Sequence, residues 1–137
     1  MTKIDQEADP PENPEGWMLV LNAGSSSLKF AVFRTRGAVL HRVLSGSLDR
    51  IGQTDSEFRV KSGVHSAGTS RRVGTAHHAN GIELILAELT KLFPASEIAA
   101  IGHRIVHGGP HFTAPQLVTP AMLAALRALS PFDSEHL

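Results

Sequence analysis

Two groups of residues in this chain have the types and spacing to do chemistry. The first is Asn22-Ala23-Gly24-Ser25-Ser26-Ser27-Leu28-Lys29, which packs a carboxamide, three hydroxyls and an ammonium into eight positions. These groups are donors or ligands suited to a polyphosphate or its magnesium ion. Apolar runs flank them, Trp17–Leu21 before and Leu28–Phe33 after. The segment therefore reads as a tight turn between strands, and a turn that gathers backbone N–H groups forms an anion-binding concavity. Phosphoryl chemistry is the reading this pattern favours. The bland alternative is an ordinary hairpin turn, because Asn, Gly and Ser are common turn formers. Asn22 before the serines and Lys29 after them tip the balance away from it.

The second group is Gly102-His103-Arg104-Ile105-Val106-His107-Gly108-Gly109. An arginine at the end of a buried strand is costly unless an anion meets it. Its planar fork can hold a carboxylate or phosphate through two hydrogen bonds. A structural Arg104 paired with an acidic side chain is the competing reading. His103, His107 and His111 recur at a spacing of four, which tempts a metal assignment. Glycines at 108 and 109 disfavour a continuous helix there, so the spacing need not gather the imidazoles, and zinc is set aside. His77 and His78 are expected to be solvated or locally hydrogen-bonded.

Known motifs narrow the chemistry. A phosphate loop of the G-x-x-x-x-G-K-[ST] type needs a second glycine and a following helix, and neither is here. A nucleophile elbow needs glycine where Leu28 stands, and the oxyanion-type His-Gly-Gly would precede its serine rather than follow it. Esterase-type acyl transfer is thereby disfavoured.

These groups need elements to position them. Trp17–Leu21 is a short apolar run expected of a strand buried on both faces. Leu28–Arg34 alternates, Val39–Leu48 reads as a third strand, and the three suggest an antiparallel meander. Asp55–Lys61 adds a shorter strand, and Ser62–His78, rich in Gly, Ser, Thr and His, reads as a loop. Ile82, Ile85, Leu86, Leu89, Leu92 and Phe93 recur at helical spacing, from Asn80 as N-cap to the stop at Pro94. Ile98–Ile101 is a buried strand, and Thr119-Pro120 opens a second helix with a cap-then-proline signature. The layout is mixed α/β. Two helices cannot cover every face and edge of such a sheet, so the chain reads as cut off at Leu137.

Composition excludes several function classes. Thirteen basic and thirteen acidic residues give a formal charge of zero, which argues against nucleic acid or an anionic membrane surface as partner. With no cysteine, neither disulfides nor thiolate chemistry is available. No apolar run is long enough to span a bilayer, and a cytoplasmic protein is expected. Residues 1–16 carry five acidic residues and three prolines. Such a segment cannot offset its ordering entropy by burial, so a disordered extension is expected.

Taken together, Val20–Lys29 and Gly102–Gly109 resemble the N-terminal part of acetate kinases, from about Trp17 to the chain end. The resemblance implies an α/β, ribonuclease-H-like fold of the superfamily that includes actin, heat-shock chaperones and sugar kinases. Residues 17–137 would then be part of the first of two domains. It implies reversible phosphoryl transfer from ATP to acetate, giving acetyl phosphate and ADP, with Mg2+ or Mn2+, in a homodimer. By position, Asn22 would help hold the metal, Ser25, Ser27 and Lys29 would line the phosphate path, Arg104 would bind the carboxylate or acyl phosphate, and Val106 would touch the acetate methyl. Many members read Pro-Leu-His-Asn-Pro where this chain has Pro131-Phe132-Asp133-Ser134-Glu135, which bears on acyl selectivity. The family's catalytic aspartate, a second arginine, a further histidine, a metal-associated glutamate and its adenosine-binding domain lie beyond Leu137. Turnover by these 137 residues alone is therefore not expected. A propionate or butyrate kinase is the nearest rival, and a truncated nucleotide-binding or interaction domain is the non-enzymatic one.

Overall fold

The structure, a computed structural model, describes residues 16–63, 65–94 and 97–129. The expected disorder of 1–16, Gly16 apart, and the departures at Phe132 and Asp133 lie outside these residues. The chain divides into two compact units, one spanning 14–104 and the other containing 105–137.

The larger unit is built on one mixed sheet. Its strands are β1 (Trp17–Ala23), β2 (Ser27–Arg36), β3 (Val39–Asp49), β4 (Ser56–Ser62), β5 (Thr69–Gly74) and β6 (Ile98–His103), with helix α1 (His78–Leu89) between the last two. The spatial order is β5-β4-β3-β2-β1-β6. Strands β1 to β5 form an antiparallel meander, and β6 lies parallel to β1. The meander expected from three strands thus runs through five.

Alternation explains the core. Leu19 and Leu21, then Leu28, Phe30 and Val32, then Leu44 and Leu48, then Phe58 are all buried. They occupy one face of the sheet, as the period of two in a strand requires. Helix α1 lays Ile85 and Leu89 on that face. Gly81 permits the approach: a Cβ there would sit 2.8 Å from Leu28 Cδ2 and 3.0 Å from Leu48 Cδ2. Each large aliphatic side chain buried this way contributes about 1.5–3 kcal/mol.

Four expectations are corrected. The apolar runs are not buried as expected: α1 covers only one face, so Val20 of β1 is 38 % exposed on the other, and β6 is no buried strand, with Ile101 60 % exposed, so Arg104 follows an exposed strand end. The stretch 62–78 is not all loop. Thr69–Gly74 pairs antiparallel with β4, from Ser56↔Gly74 to Val60↔Thr69. As an edge strand it needs no apolar stripe, so Thr69-Ser70-Arg71-Arg72 conceals it. Helix α1 starts earlier than Asn80. His77 is its N-cap, and Asn80, in the first turn, accepts the His77 N–H through Oδ1 at 2.9 Å. The helix also ends earlier, at Leu89. A turn then carries the chain to buried Phe93, which stacks on Trp17 with ring centroids 4.2 Å apart.

In the smaller unit, α2 (Pro120–Leu129) follows the expected cap. Thr119 Oγ1 accepts the Met122 N–H at 3.1 Å, which satisfies one donor of the first turn. Met122 and Leu126 are its buried residues. Among the described residues no helix is long and apolar enough to cross a membrane.

Candidate active site

The serine-rich turn joins β1 to β2 and is held from several directions. The Gly24 N–H donates to the Ser27 carbonyl at 2.8 Å, and the Ser26 carbonyl accepts the Ile51 N–H at 2.9 Å. His78, at the start of α1, brings Nε2 to 2.7 Å from the Gly24 carbonyl. A carbonyl can only accept, so that nitrogen carries the proton. The expectation of a solvated or locally bonded His78 is thus corrected. Its partner is 54 residues away in the chain, and nothing local in the sequence could signal it. With its carbonyls occupied, the turn leaves Ser25 and Ser26 exposed.

Strand register then decides which side chains share a face. Asn22 pairs with Lys29 across β1 and β2, and Lys29 pairs with Ser47 on β3. Ser47 pairs with Arg59 on β4, and Arg59 with Ser70 on β5. Lys29 and Ser27 alternate with buried Leu28 and Phe30, so this row lies on the face opposite α1. On the other side of β1, Val20 pairs with Gly102 of β6. A Cβ at Gly102 would lie 3.9 Å from Val20 Cγ2, which puts Gly102 on the same open face. Arg104 stands two residues on, and its N–H continues the parallel ladder by donating to the Leu21 carbonyl at 3.0 Å. Alternation therefore assigns Arg104 to the open face, level with Asn22. Two strand spacings of about 4.8 Å separate the backbones of Lys29 and Arg104, a gap both long side chains can span.

The sheet thus brings Asn22, Ser27, Lys29 and Arg104 to one face, with exposed Ser25 at its rim. Val106 belongs to the smaller unit and is 47 % exposed, so the register does not extend to it. Arg104 makes no ion pair among the described residues, unlike Arg50 and Arg59, which engage carboxylates. The structural-arginine alternative finds no acidic partner there.

The outer part of this row carries no motif in the sequence. Ser47 Oγ donates to Asp49 at 2.6 Å, and Arg59 bridges Asp49 at 3.4 Å and Glu57 at 2.5 Å. The Ser70 hydroxyl also donates to Glu57. That hydrogen bond, then the Arg59 guanidinium, hold the Glu57 carboxyl below the usual carboxylate range. The signal was faint, since Ser47–Asp49 and Glu57–Arg59 are two ordinary i, i+2 pairs that only the pairing of β3, β4 and β5 joins to each other and to Ser70.

A metal ion finds few ligands in this set. No group of three His, Cys, Asp or Glu side chains converges among the described residues. Half-buried Asn22 offers one neutral oxygen on the open face. Magnesium keeps several waters and takes few protein ligands, so the residues fit a shared site to which this chain gives one oxygen.

The chain is similar to known proteins over most of its length. The acetokinase family model matches residues 17–136. The chain is 40 % identical over 120 residues to the acetate kinase of Deinococcus radiodurans, covering 88 % of this chain and 29 % of that protein. It is 44 % identical over 97 residues to the acetate kinase of Dichelobacter nodosus, covering 70 % of this chain and 23 % of the other. A propionate kinase from Francisella tularensis is similar in structure with a TM-score of 0.76 at 26 % identity, over 88 % of this chain and 30 % of that one. The acetate kinase of Porphyromonas gingivalis gives 0.75 at 27 %, over 88 % and 31 %. The chain spans less than a third of the length of these relatives. A family model that matches residues 17–136, and relatives 40–44 % identical to the chain over the aligned stretch, show that this chain belongs to the acetokinase family.

Proposed function

We propose that, within a whole acetokinase, this chain supplies part of the site that transfers the γ-phosphoryl group of ATP to acetate, reversibly and with Mg2+. The observation that carries the reading is the Asn22↔Lys29 pair on the open face, beside which Arg104, one residue past β6, bonds its N–H to the Leu21 carbonyl. Phosphoryl transfer asks the protein for in-line positioning and charge neutralisation more than for covalent chemistry. Arg104 binds the acid's carboxylate with its two-pronged guanidinium and draws charge from the transferring group. Lys29 neutralises phosphate oxygens as a point charge, and the Ser25 and Ser27 hydroxyls donate along the same path. Val106 bounds the methyl end of the acid. Asn22 would help hold a magnesium ion through its side-chain oxygen, and the ion would supply charge neutralisation for the phosphate. The remaining catalytic groups and the adenosine site come from outside this chain, in a cytoplasmic homodimer.

Propionate as the acceptor is the second reading, favoured by the likeness to the Francisella tularensis propionate kinase. Initial rates with two-, three- and four-carbon acids separate the two.

The test is a chimera in which residues 17–136 replace the matching segment of the Deinococcus radiodurans enzyme. The chimera is expected to form acetyl phosphate, trapped as the hydroxamate. Arg104→Ala is expected to lower kcat by about a hundred- to a thousandfold, the loss typical of one donor to a developing anion. A folded, active chimera whose kcat and KM are indifferent to Arg104→Ala removes this residue from the site.

A further inference from the structure

We infer that the open face of the sheet carries a second anion-binding groove, built around Arg42 and Lys61, that takes a small phosphorylated ligand. The groove has a volume of about 680 Å³ and spans β2 to β5. That is within the range of about 300–1,000 Å³ typical of small-molecule sites. Lys29, Arg42, Arg59 and Lys61 line it, and no acidic residue does.

The charges are only partly answered within the protein. Arg59 engages Asp49 and Glu57. Lys29, Arg42 and Lys61 make no ion pair among the described residues. They stand on three neighbouring strands, β2, β3 and β4, none directly opposite another: Lys29 pairs with Ser47, Arg42 with Phe33 and Lys61 with Ser45. A chain of zero formal charge therefore gathers unpaired cations around one concavity. Water satisfies such ammonium and guanidinium groups, and an anion held among them would accept charge-assisted hydrogen bonds in its place.

The hydroxyls of the lining sort into two kinds. Ser47 and Ser70 already donate to Asp49 and Glu57. Ser45 and Thr69 also line the groove and make no side-chain hydrogen bond among the described residues. Two cations that reach phosphate oxygens, beside two donor hydroxyls, match a phosphate group or a pyrophosphate. Lys29 lies on the boundary with the row that leads to Arg104, whereas Arg42 and Lys61 lie away from it. The groove does not depend on the kinase reading.

Calorimetric titration of the 137-residue chain with inorganic pyrophosphate at low ionic strength tests this. One site is expected in the wild type. The double variant R42Q/K61Q is expected to weaken binding at least tenfold. R42K/K61R, which keeps both charges, is expected to retain most of it. Arg104→Ala is expected to leave the affinity unchanged within about twofold. Arg42 and Lys61 are exposed and unpaired, so far-ultraviolet circular dichroism of the variants should match the wild type. Failure of the wild type to bind millimolar pyrophosphate overturns the inference, as does equal binding by R42Q/K61Q. Loss of binding in Arg104→Ala with retention in R42Q/K61Q also overturns it, and would place the anion at the proposed active site instead.

Discussion

Arg104 and Lys29 are opposite in sequence context and alike in placement. Each follows or lies within a strand, each is exposed, and each sits on the face that α1 leaves bare. What makes them usable is that their neighbours are not. Leu28 and Phe30 bury themselves on the far side of β2, which forces Lys29 outward. His78 acts differently, by holding the Gly24 carbonyl so that the turn presents Ser25 and Ser26. Ser56 shows how much one hidden hydroxyl can matter. It is fully buried, with Oγ 2.8 Å from the Arg50 carbonyl and 3.1 Å from the Gln53 carbonyl, and it accepts the Ala76 N–H at 3.3 Å. Ser56→Ala removes these three bonds, although the Arg50 carbonyl keeps the Gln53 N–H at 3.1 Å, and we expect a loss of about 1–3 kcal/mol, read from the denaturant midpoint. An unchanged midpoint would mean that water takes over the bonds.

At the scale of elements, close approach and edge pairing set the limits. Gly46 of β3 lies between Phe30 and Val60 in the register. A Cβ there would fall 2.2 Å from the Arg59 carbonyl oxygen and 2.5 Å from the Phe30 ring. Backbone in a central strand cannot yield as the tip of a side chain can. Gly46→Ala is therefore expected to destabilise by about 2–3 kcal/mol, while Gly102→Ala, with its nearest neighbour at 3.9 Å, should be tolerated in a thermal melt. The β4–β5 edge rests on a charged network instead. The folded Glu57 carboxyl titrates below its ordinary value of 4.5 because the Ser70 hydroxyl and then Arg59 favour its ionised form. Its contribution is thus present above that value and lost as pH falls through the lower folded value. Thermal midpoints measured from pH 6 down to pH 3 should decline less steeply for Glu57→Gln than for the wild type. The difference should shrink in high salt, because the pair is exposed.

At the scale of the molecule, the proposed function gives the chain one wall of a reaction site and leaves the rest to groups elsewhere. Asn22, Ser27, Lys29 and Arg104 all lie on one open face, and the relatives have more than three times the matched length. The 137 residues alone are expected to give no acetyl hydroxamate above background from ATP, acetate and hydroxylamine. Turnover at an enzyme-like rate would show that the groups assigned elsewhere are dispensable. That outcome would refute the proposed division of labour.

The sequence by itself determined the local elements and the chemistry-bearing segments. Alternation of Leu28, Phe30 and Val32 announced β2, Thr119-Pro120 announced α2, and the motifs around Lys29 and Arg104 pointed to the family. These signals are local, because a strand's period and a helix's cap are written in adjacent residues. Only the tertiary structure decided that Lys29 and Arg104 share a face, since that depends on the β1–β2 and β1–β6 registers together. It alone disclosed β5, whose exposed polar residues carry no apolar pattern, and His78, whose partner is distant in the chain. Pairing across a sheet brings together residues whose neighbours in sequence give no sign of it.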